Sequence, residues 1–485
     1  MTGNPKVLLV AAEAVPFAKV GGLAEFAGAL PKALRKLGVD ARLMIPLYGD
    51  RSHVDTPRFK KVGGSLPVPA GPRTEPAHLL ETRVGDVPVY LIYNDQHFGN
   101  RERVYGFNDD PQRFTFFSRA VIVALDTLEW TPDVIHTNDW HTAPVTTWLS
   151  VYGRQKSPYS HIASLYTIHN FAYQGLCGRL VLSHCQMNDV PHLSVEPPGK
   201  VNWMAQGVAH ADLVNTVSVT YAREILSTDF AGDLGPLLQE RHDRVFGILS
   251  GIDTELWDPE TDSLLPQTFG LGNLNLRAVN KTALQRELRL PVGMDTPLMG
   301  VVTRLDPMKG LRLLAQALDR LVEVRDMQFV LLGTGDEDLA WMYQDLQAKY
   351  PRSVRALIRF DERIARRIYG GVDLFLMPSL QESVSVGLMT AMRYGAVPVV
   401  RATGGLSETV VDADVDPERG TGFSFRDYTA DSLTEALERA LAAYDDEARW
   451  VELQRRSMAR DFSWDASARA YLDLYHRARR LRVRS

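Results

Sequence analysis

The chain has 485 residues, more than one ordinary domain of roughly 100–200 residues, so two or three domains are expected. Hydrophobic residues make up 45% and charged residues 23%, which excludes a mainly disordered, collagenous or coiled-coil chain. A net charge of −5, two cysteines (Cys177 and Cys185) and no apolar run near the ~20 residues of a membrane helix argue against nucleic-acid and membrane partners, a disulfide framework and a four-cysteine zinc site.

In chain order, the apolar run 6–12 predicts a buried strand. Lys6 before it gives a weak likeness to a signal peptide, which Glu13 interrupts; a reducing cytoplasm is the expected compartment. After a turn at Gly21 and Gly22, apolar residues at Leu23, Phe26, Leu30, Leu34 and Leu37 mark one helix face, stopped by Gly38. Strands are expected at 41–45, 133–136, 162–168 and 213–217, a helix at 114–128, and a hairpin over 84–93 around a Gly-Asp turn. The second half repeats the rhythm. Strands are read at 298–303, 328–332, 354–360, 374–377 and 397–400, and helices at 311–321 and 339–349. Residues 263–280 read as loop. The segment 464–482 carries Ala468, Tyr471, Leu472 and Tyr475 on one face among many arginines, and by composition alone reads as a solvated terminal helix.

This alternation predicts an α/β chain of two doubly wound parallel-sheet domains meeting near residues 247–259. Ligands of such sheets bind at the carboxyl ends of the strands, where the unusual chemistry falls. Lys19, Gly21 and Gly22 form a turn whose amides and following helix suit a phosphate or sugar oxygen, or merely join strand to helix. His136, Asp139, Trp140 and His141 suit sugar stacking and hydroxyl bonding. A zinc reading of His136 and His141 lacks a third ligand, and Asp139 could simply cap a helix. His169 and Asn170 sit at another strand end, where the imidazole could donate to a carbonyl or hydroxyl. Arg304 and Lys309 could neutralise a leaving diphosphate. Glu382 could hold hydroxyls or stabilise charge on a sugar carbon, or be a helix N-terminal acid. Gly404 and Gly405 form a further strand-end turn. Gly333-Thr334-Gly335 fails the dinucleotide fingerprint, which counts against a dehydrogenase. The run 412–416 fails as a calcium loop because Pro417 stands where glycine is needed.

Six collinear motifs together resemble the bacterial glycogen and starch synthase family: K-V-G-G-L, H-x-N-D-W-H-T-A, T-I-H-N-F-A-Y-Q-G, G-I-L-S-G-I-D with W-D-P-E-T-D, R-L-x-P-x-K-G, and M-R-Y-G-A-V-P-V-V-R-A-T-G-G-L. The resemblance runs from about Val7 to Phe425. It implies a two-domain GT-B fold, with donor and acceptor meeting in the cleft between an acceptor-side domain, 1–250, and a nucleotide-sugar domain, 251–464. A terminal helix, 465–485, crosses back to the first. It implies retaining transfer of glucose from ADP-glucose to the non-reducing end of an α-1,4-glucan, with no metal or other cofactor. Attack from the leaving-group side, with the diphosphate as its own base, is the mechanism implied.

Carried over by residue, Lys19, Gly21, Gly22, Arg304, Lys309, Gly404 and Gly405 meet the donor. His169, Glu382, Arg304, Lys309 and Asp139 serve catalysis. Glu13, Asp139, Trp140, His141 and Asn170 line the acceptor side. The chain departs from the family pattern at Glu25, Ala205 and Ser250, where Asp, Lys and Asn are usual, at Asn138 in place of a second His, and at Gln381 in place of Phe. After Glu382 it reads Ser383-Val384-Ser385-Val386 instead of P-C-G-L, so Ser385 replaces a glycine and is expected to restrict approach to the diphosphate. Two other readings stay open: a related transferase using UDP-glucose or another acceptor, and a glucan-binding homologue without turnover.

Overall fold

The computed structural model describes residues 3–49, 59–191 and 199–484. The chain divides into two compact units, one of Met1–Gly251 with Trp464–Ser485, the other of Ile252–Ser463.

The first unit is built on nine strands: β1 (Lys6–Val10), β2 (Asp40–Pro46), β3 (Lys60–Ala70), β4 (Arg73–Val84), β5 (Val87–Tyr93), β6 (Val134–Asn138), β7 (Ala163–Ile168), β10 (Leu213–Thr216) and β11 (Val245–Gly247). Between β7 and β10 in the chain, β8 (Leu176–Gly178) and β9 (Lys200–Asn202) make a separate antiparallel pair. The nine lie in the order β11-β10-β7-β6-β1-β2-β5-β4-β3. From β11 to β5 every pairing is parallel, and these strands are apolar on both faces because helices cover both. The expected hairpin is present as β4–β5, with Val84 opposite Val87 across Gly85-Asp86. Sequence reading missed β3. It carries Gly63, Gly64, Pro67 and Pro69, breakers in a central strand but tolerated on the sheet edge it occupies.

The terminal helix Trp464–Arg484 corrects the solvated reading. Ala468, Tyr471 and Tyr475 are fully buried, with only Leu472 of the expected face left half-buried. The Tyr475 hydroxyl is 2.9 Å from His136 Nδ1, and the Tyr471 hydroxyl accepts from Asn215 Nδ2 at 2.8 Å. Trp464 and Tyr471 pack against the ring of Phe26, from the helix Gly22–Lys36, at 5.5 and 5.7 Å. Of its arginines, Arg469, Arg477 and Arg480 are exposed, whereas Arg482 Nε donates to the Ser160 carbonyl at 2.9 Å and Arg479 lies 3.6 Å from Asp133.

The second unit has six parallel strands: β12 (Leu298–Val302), β13 (Gln328–Gly333), β14 (Val354–Ile358), β15 (Leu374–Met377), β16 (Val397–Arg401) and β17 (Phe423–Phe425), ordered β14-β13-β12-β15-β16-β17. The loop expected at 263–280 is only partly one. A 3-10 segment, Leu271–Leu276, leads into a helix, Arg277–Glu287, that begins inside it. This helix buries Arg277, Asn280, Lys281 and Gln285 beside Leu284, so its inner face is polar and leaves no apolar period to read. Its cations are compensated: Lys281 Nζ lies 2.8 Å from Asp373 Oδ2, and Arg277 Nε donates to the Tyr394 carbonyl at 2.9 Å.

Candidate active site

In the first unit, the carboxyl ends of β1, β6 and β7 bring Glu13, Asp139 and His169 together. Glu13 turns inward. Its Oε2 accepts from the amides of Val20, at 2.5 Å, and Gly21, at 3.3 Å, so this carboxylate already occupies two donors of the Gly21-Gly22 turn. The Tyr105 hydroxyl also bonds to it. Burial pushes the Glu13 carboxyl up to about 7 against these hydrogen bonds, and the charge of Asp139 adds to the rise. Asp139 adopts a left-handed backbone, φ 54°, rare for a residue with a Cβ. Its Oδ1 accepts the His169 amide at 2.7 Å. Burial raises its carboxyl to about 7 as well, opposed by the amides of His169 and Asn170.

His169 is buried, and desolvation holds its imidazole down at about 3, so the ring is neutral. Phe26 meets it edge-on at 4.5 Å. Trp140 and His141 stack at 4.1 Å, and His141 is enclosed by Phe114 and Tyr105, so only Trp140 of the pair is more than marginally exposed. Asn170 Oδ1 accepts the Ala172 amide, fixing the loop that follows. Lys19 is half exposed and donates to Glu25 at 2.7 Å, an ion pair that the Glu in place of Asp still makes. His136 is spoken for by Tyr475 and Thr167, which leaves it no ligand position for a metal.

In the second unit, the loops after β12 and β15 run side by side. The Leu380 amide donates to the Met308 carbonyl at 2.8 Å. Gly310 (φ 70°) lies so close to Pro378 that a Cβ there would collide with the Pro378 carbonyl oxygen. This contact seats Lys309 Nζ 2.6 Å from Glu382 Oε2, which also accepts from Ser379 Oγ at 3.0 Å. Glu382 is buried. Arg304 is different: its side chain is 56% exposed, and the ion pair it makes, to Asp306, spans 3.9 Å. An exposed guanidinium beside a tethered ammonium can receive a polyanion and oppose charge developing on it. Gly404 and Gly405 buttress the Glu382 loop. A Cβ on Gly404 would collide with the Glu382 carbonyl oxygen, and the Gly405 amide donates to the carbonyls of Glu382 and Ser383 at 3.2 and 3.1 Å. The Gly333-Thr334-Gly335 turn braces the other loop, with the Leu305 amide donating to the Thr334 carbonyl at 2.8 Å.

Ser385 stands at the start of the helix that follows the Glu382 loop. Its backbone is extended (φ −122°), as any residue adopts, and its Oγ accepts the Leu388 amide at 3.1 Å, capping the helix Val386–Arg393. The side chain is therefore engaged in the cap and does not need glycine geometry.

The profile described as the starch synthase catalytic domain matches residues 6–240, and that of the glycosyl transferases group 1 matches residues 287–457. The glycogen synthase of Moorella thermoacetica is 43% identical over 480 residues, covering 98% of this chain and 96% of that protein. The chain belongs to the glycogen and starch synthase family. Glycogen synthase 2 of Geobacter sulfurreducens is 40% identical, covering 98% of this chain and 99% of the relative. The catalytic domain of starch synthase IV from Arabidopsis thaliana, solved with ADP and acarbose, superimposes with a TM-score of 0.92 at 32% identity, covering 99% of this chain and all of that one. As a member of this family the chain is a glucosyltransferase of GT-B fold.

Sequence reading gave no separate role to the residues that hold the motif side chains in place. Ser379, two residues beyond β15, was visible as a hydroxyl near Glu382. Arg401 ends β16 and donates to the Leu380 carbonyl at 2.6 Å, and nothing in its spacing marks it. Among the departures from the glycogen synthase pattern, Ala205 is fully buried, and Ser250 Oγ is buried without a hydrogen-bond partner among the described residues.

Proposed function

We propose that this chain takes glucose from ADP-glucose and adds it, with retention of configuration, to the non-reducing end of an α-1,4-glucan. The reading rests above all on Lys309, held 2.6 Å from the buried Glu382 with the exposed Arg304 in the same loop. In this reading Arg304 and Lys309 take the diphosphate, and their charge matters most as ADP departs. Lys19 and the Gly21-Gly22 turn meet the same donor, with the amides that Glu13 does not occupy. Glu382 faces glucosyl or ribose hydroxyls. His169 lies against the transferred glucose, and Glu13, Asp139, Trp140, His141 and Asn170 face the glucan. The unit Met1–Gly251 is then the acceptor side and Ile252–Ser463 the nucleotide-sugar side. The Arabidopsis relative was solved bound to ADP and acarbose, which supports an ADP-sugar donor and a glucan acceptor. No helix among the described residues is long and apolar enough to cross a membrane, and both cysteines are free thiols, which fits the cytoplasm we assign.

The test is glucose incorporation into glycogen from labelled ADP-glucose and UDP-glucose, side by side. Transfer from ADP-glucose is expected. Transfer from UDP-glucose alone would overturn the donor, and glycogen binding without transfer from either would overturn turnover itself.

A further inference from the structure

Asn138 ends β6 and is completely buried. Its side-chain amide faces different partners at its two ends. One end lies 3.0 Å from the Val10 carbonyl oxygen and 3.3 Å from the His136 carbonyl oxygen. Carbonyls only accept, so this end is the NH2 and both of its hydrogens are used. The other end must then be the oxygen, and it lies 2.9 Å from His169 Nε2. An oxygen that cannot donate requires a proton on Nε2. In a neutral imidazole with Nε2 protonated, Nδ1 carries the lone pair.

Nothing else around the ring contradicts that choice. The His169 amide is spent on Asp139, Phe26 covers the ring edge-on, and Nδ1 has no hydrogen-bond partner among the described residues. His136, the other imidazole near it, has its own nitrogens taken by Tyr475 and Thr167. Asp139 bonds to the backbone of His169. The ring stays neutral because burial disfavours its charged form.

We propose that Asn138 is a positioning residue that fixes His169 as the Nε2-protonated tautomer, so that Nδ1 meets the transferred sugar as a hydrogen-bond acceptor. This rests on the reading of the chain as a glucosyltransferase with His169 against the glucose. It reverses the role expected from sequence, in which the imidazole donates. An accepting nitrogen requires a sugar hydroxyl that donates its hydrogen. It holds the sugar's orientation and cannot supply a proton to the leaving group. Asn138 thus acts through His169 and touches no substrate.

The experiment uses the full chain labelled with 15N-histidine, without donor or acceptor, with the His169 resonance identified by its loss in His169→Gln. The unmodified protein should show a protonated Nε2, an unprotonated Nδ1 and no titration of this ring between about pH 5 and 9. Asn138→Leu removes the accepting oxygen and should lose that signature. It should also lower kcat about tenfold, the worth of one well-placed hydrogen bond, with the KM for glycogen little changed. Asn138→Asp keeps the oxygen that faces Nε2 but sets its second oxygen against the Val10 and His136 carbonyls, so it should keep Nε2 protonated while lowering Tm. A protonated Nδ1 in the unmodified protein, or a ring that titrates in this range, overturns the assignment even if Asn138→Leu fails to fold. Loss of the tautomer with undiminished kcat overturns the positioning role. Absence of glucosyl transfer by the unmodified chain would instead refute the reaction, a result the spectra do not depend on.

Discussion

At the scale of single residues, the two units use charge in opposite ways. Lys309 is paired and near the surface, and its proposed task is to oppose charge that appears during the reaction. Lys309→Ala should therefore lower kcat about 100-fold, the usual cost of losing one preorganised donor, while glycogen affinity changes less than about twofold. Equal losses in both would mean that Lys309 serves general binding. Glu13 and Asp139 are buried acids whose pKa values rise to about 7 from ordinary values of 4.5 and 3.8. An acid with a raised pKa in the fold stabilises the fold while protonated. That contribution is complete below the unfolded value and is lost as pH climbs through the folded one, here from about 4 to 7. Glu13→Gln keeps an oxygen for the Val20 and Gly21 amides without the charge. Its gain in Tm should be small at pH 5 and larger at pH 8, by at most about 3 kcal/mol in stability. The same gain at both values would show that Glu13 is not buried in the charged form.

At the scale of elements, what was legible in the sequence depended on whether burial left an apolar trace. The expected bounds of 374–377 coincide with β15, because a strand covered on both faces is a plain apolar run. The helix Gly22–Lys36 showed through its apolar period despite Pro31 inside it. The helix Arg277–Glu287 did not, because its core face is made of Arg277, Asn280, Lys281 and Gln285, and β3 was hidden by the prolines an edge allows. The site divides in the same way. Strand-end residues such as His169, Lys309 and Glu382 were visible as odd chemistry at predictable places. The orientation of Asn138, the left-handed turn at Asp139 and the tie from Arg401 require distances, which no spacing encodes. The cap at Ser385 gives a direct check. Ser385→Gly restores the residue usual in the family and should cost a few tenths of a kcal/mol in stability, read as a lower Tm, with turnover unchanged. A rise in kcat of tenfold or more would mean that the serine does obstruct the donor.

At the scale of the whole molecule, the first unit is discontinuous and the second is one uninterrupted stretch. The segment Ile252–Ser463 contains its own sheet and two hydrophobic clusters of its own. It should fold cooperatively when expressed alone, seen as a single thermal transition with near-native helical circular dichroism. The first unit should not tolerate the reciprocal cut. Removing residues 464–485 uncovers Phe26 and His136 and deletes Trp464, Tyr471 and Tyr475, and burial of large aromatic side chains is worth several kcal/mol. The shortened chain should lose the transition of the first unit and keep that of the second. A full-length melting profile from the shortened chain would show the helix to be dispensable.

That discontinuity also orders events on the ribosome. Synthesis runs from the amino end, so β1 and its neighbours emerge early, yet the helix that covers Phe26 and His136 emerges only after all of Ile252–Ser463 has been made. At ordinary translation rates of about 5–20 residues per second, the uncovered surface stays exposed for at least ~10 seconds while the second unit has time to fold. The nascent chain thus passes through a stage in which its later-made unit is finished and its earlier-made unit is not. Throughout that interval the apolar bed of the terminal helix is open to chaperones and to neighbouring nascent chains.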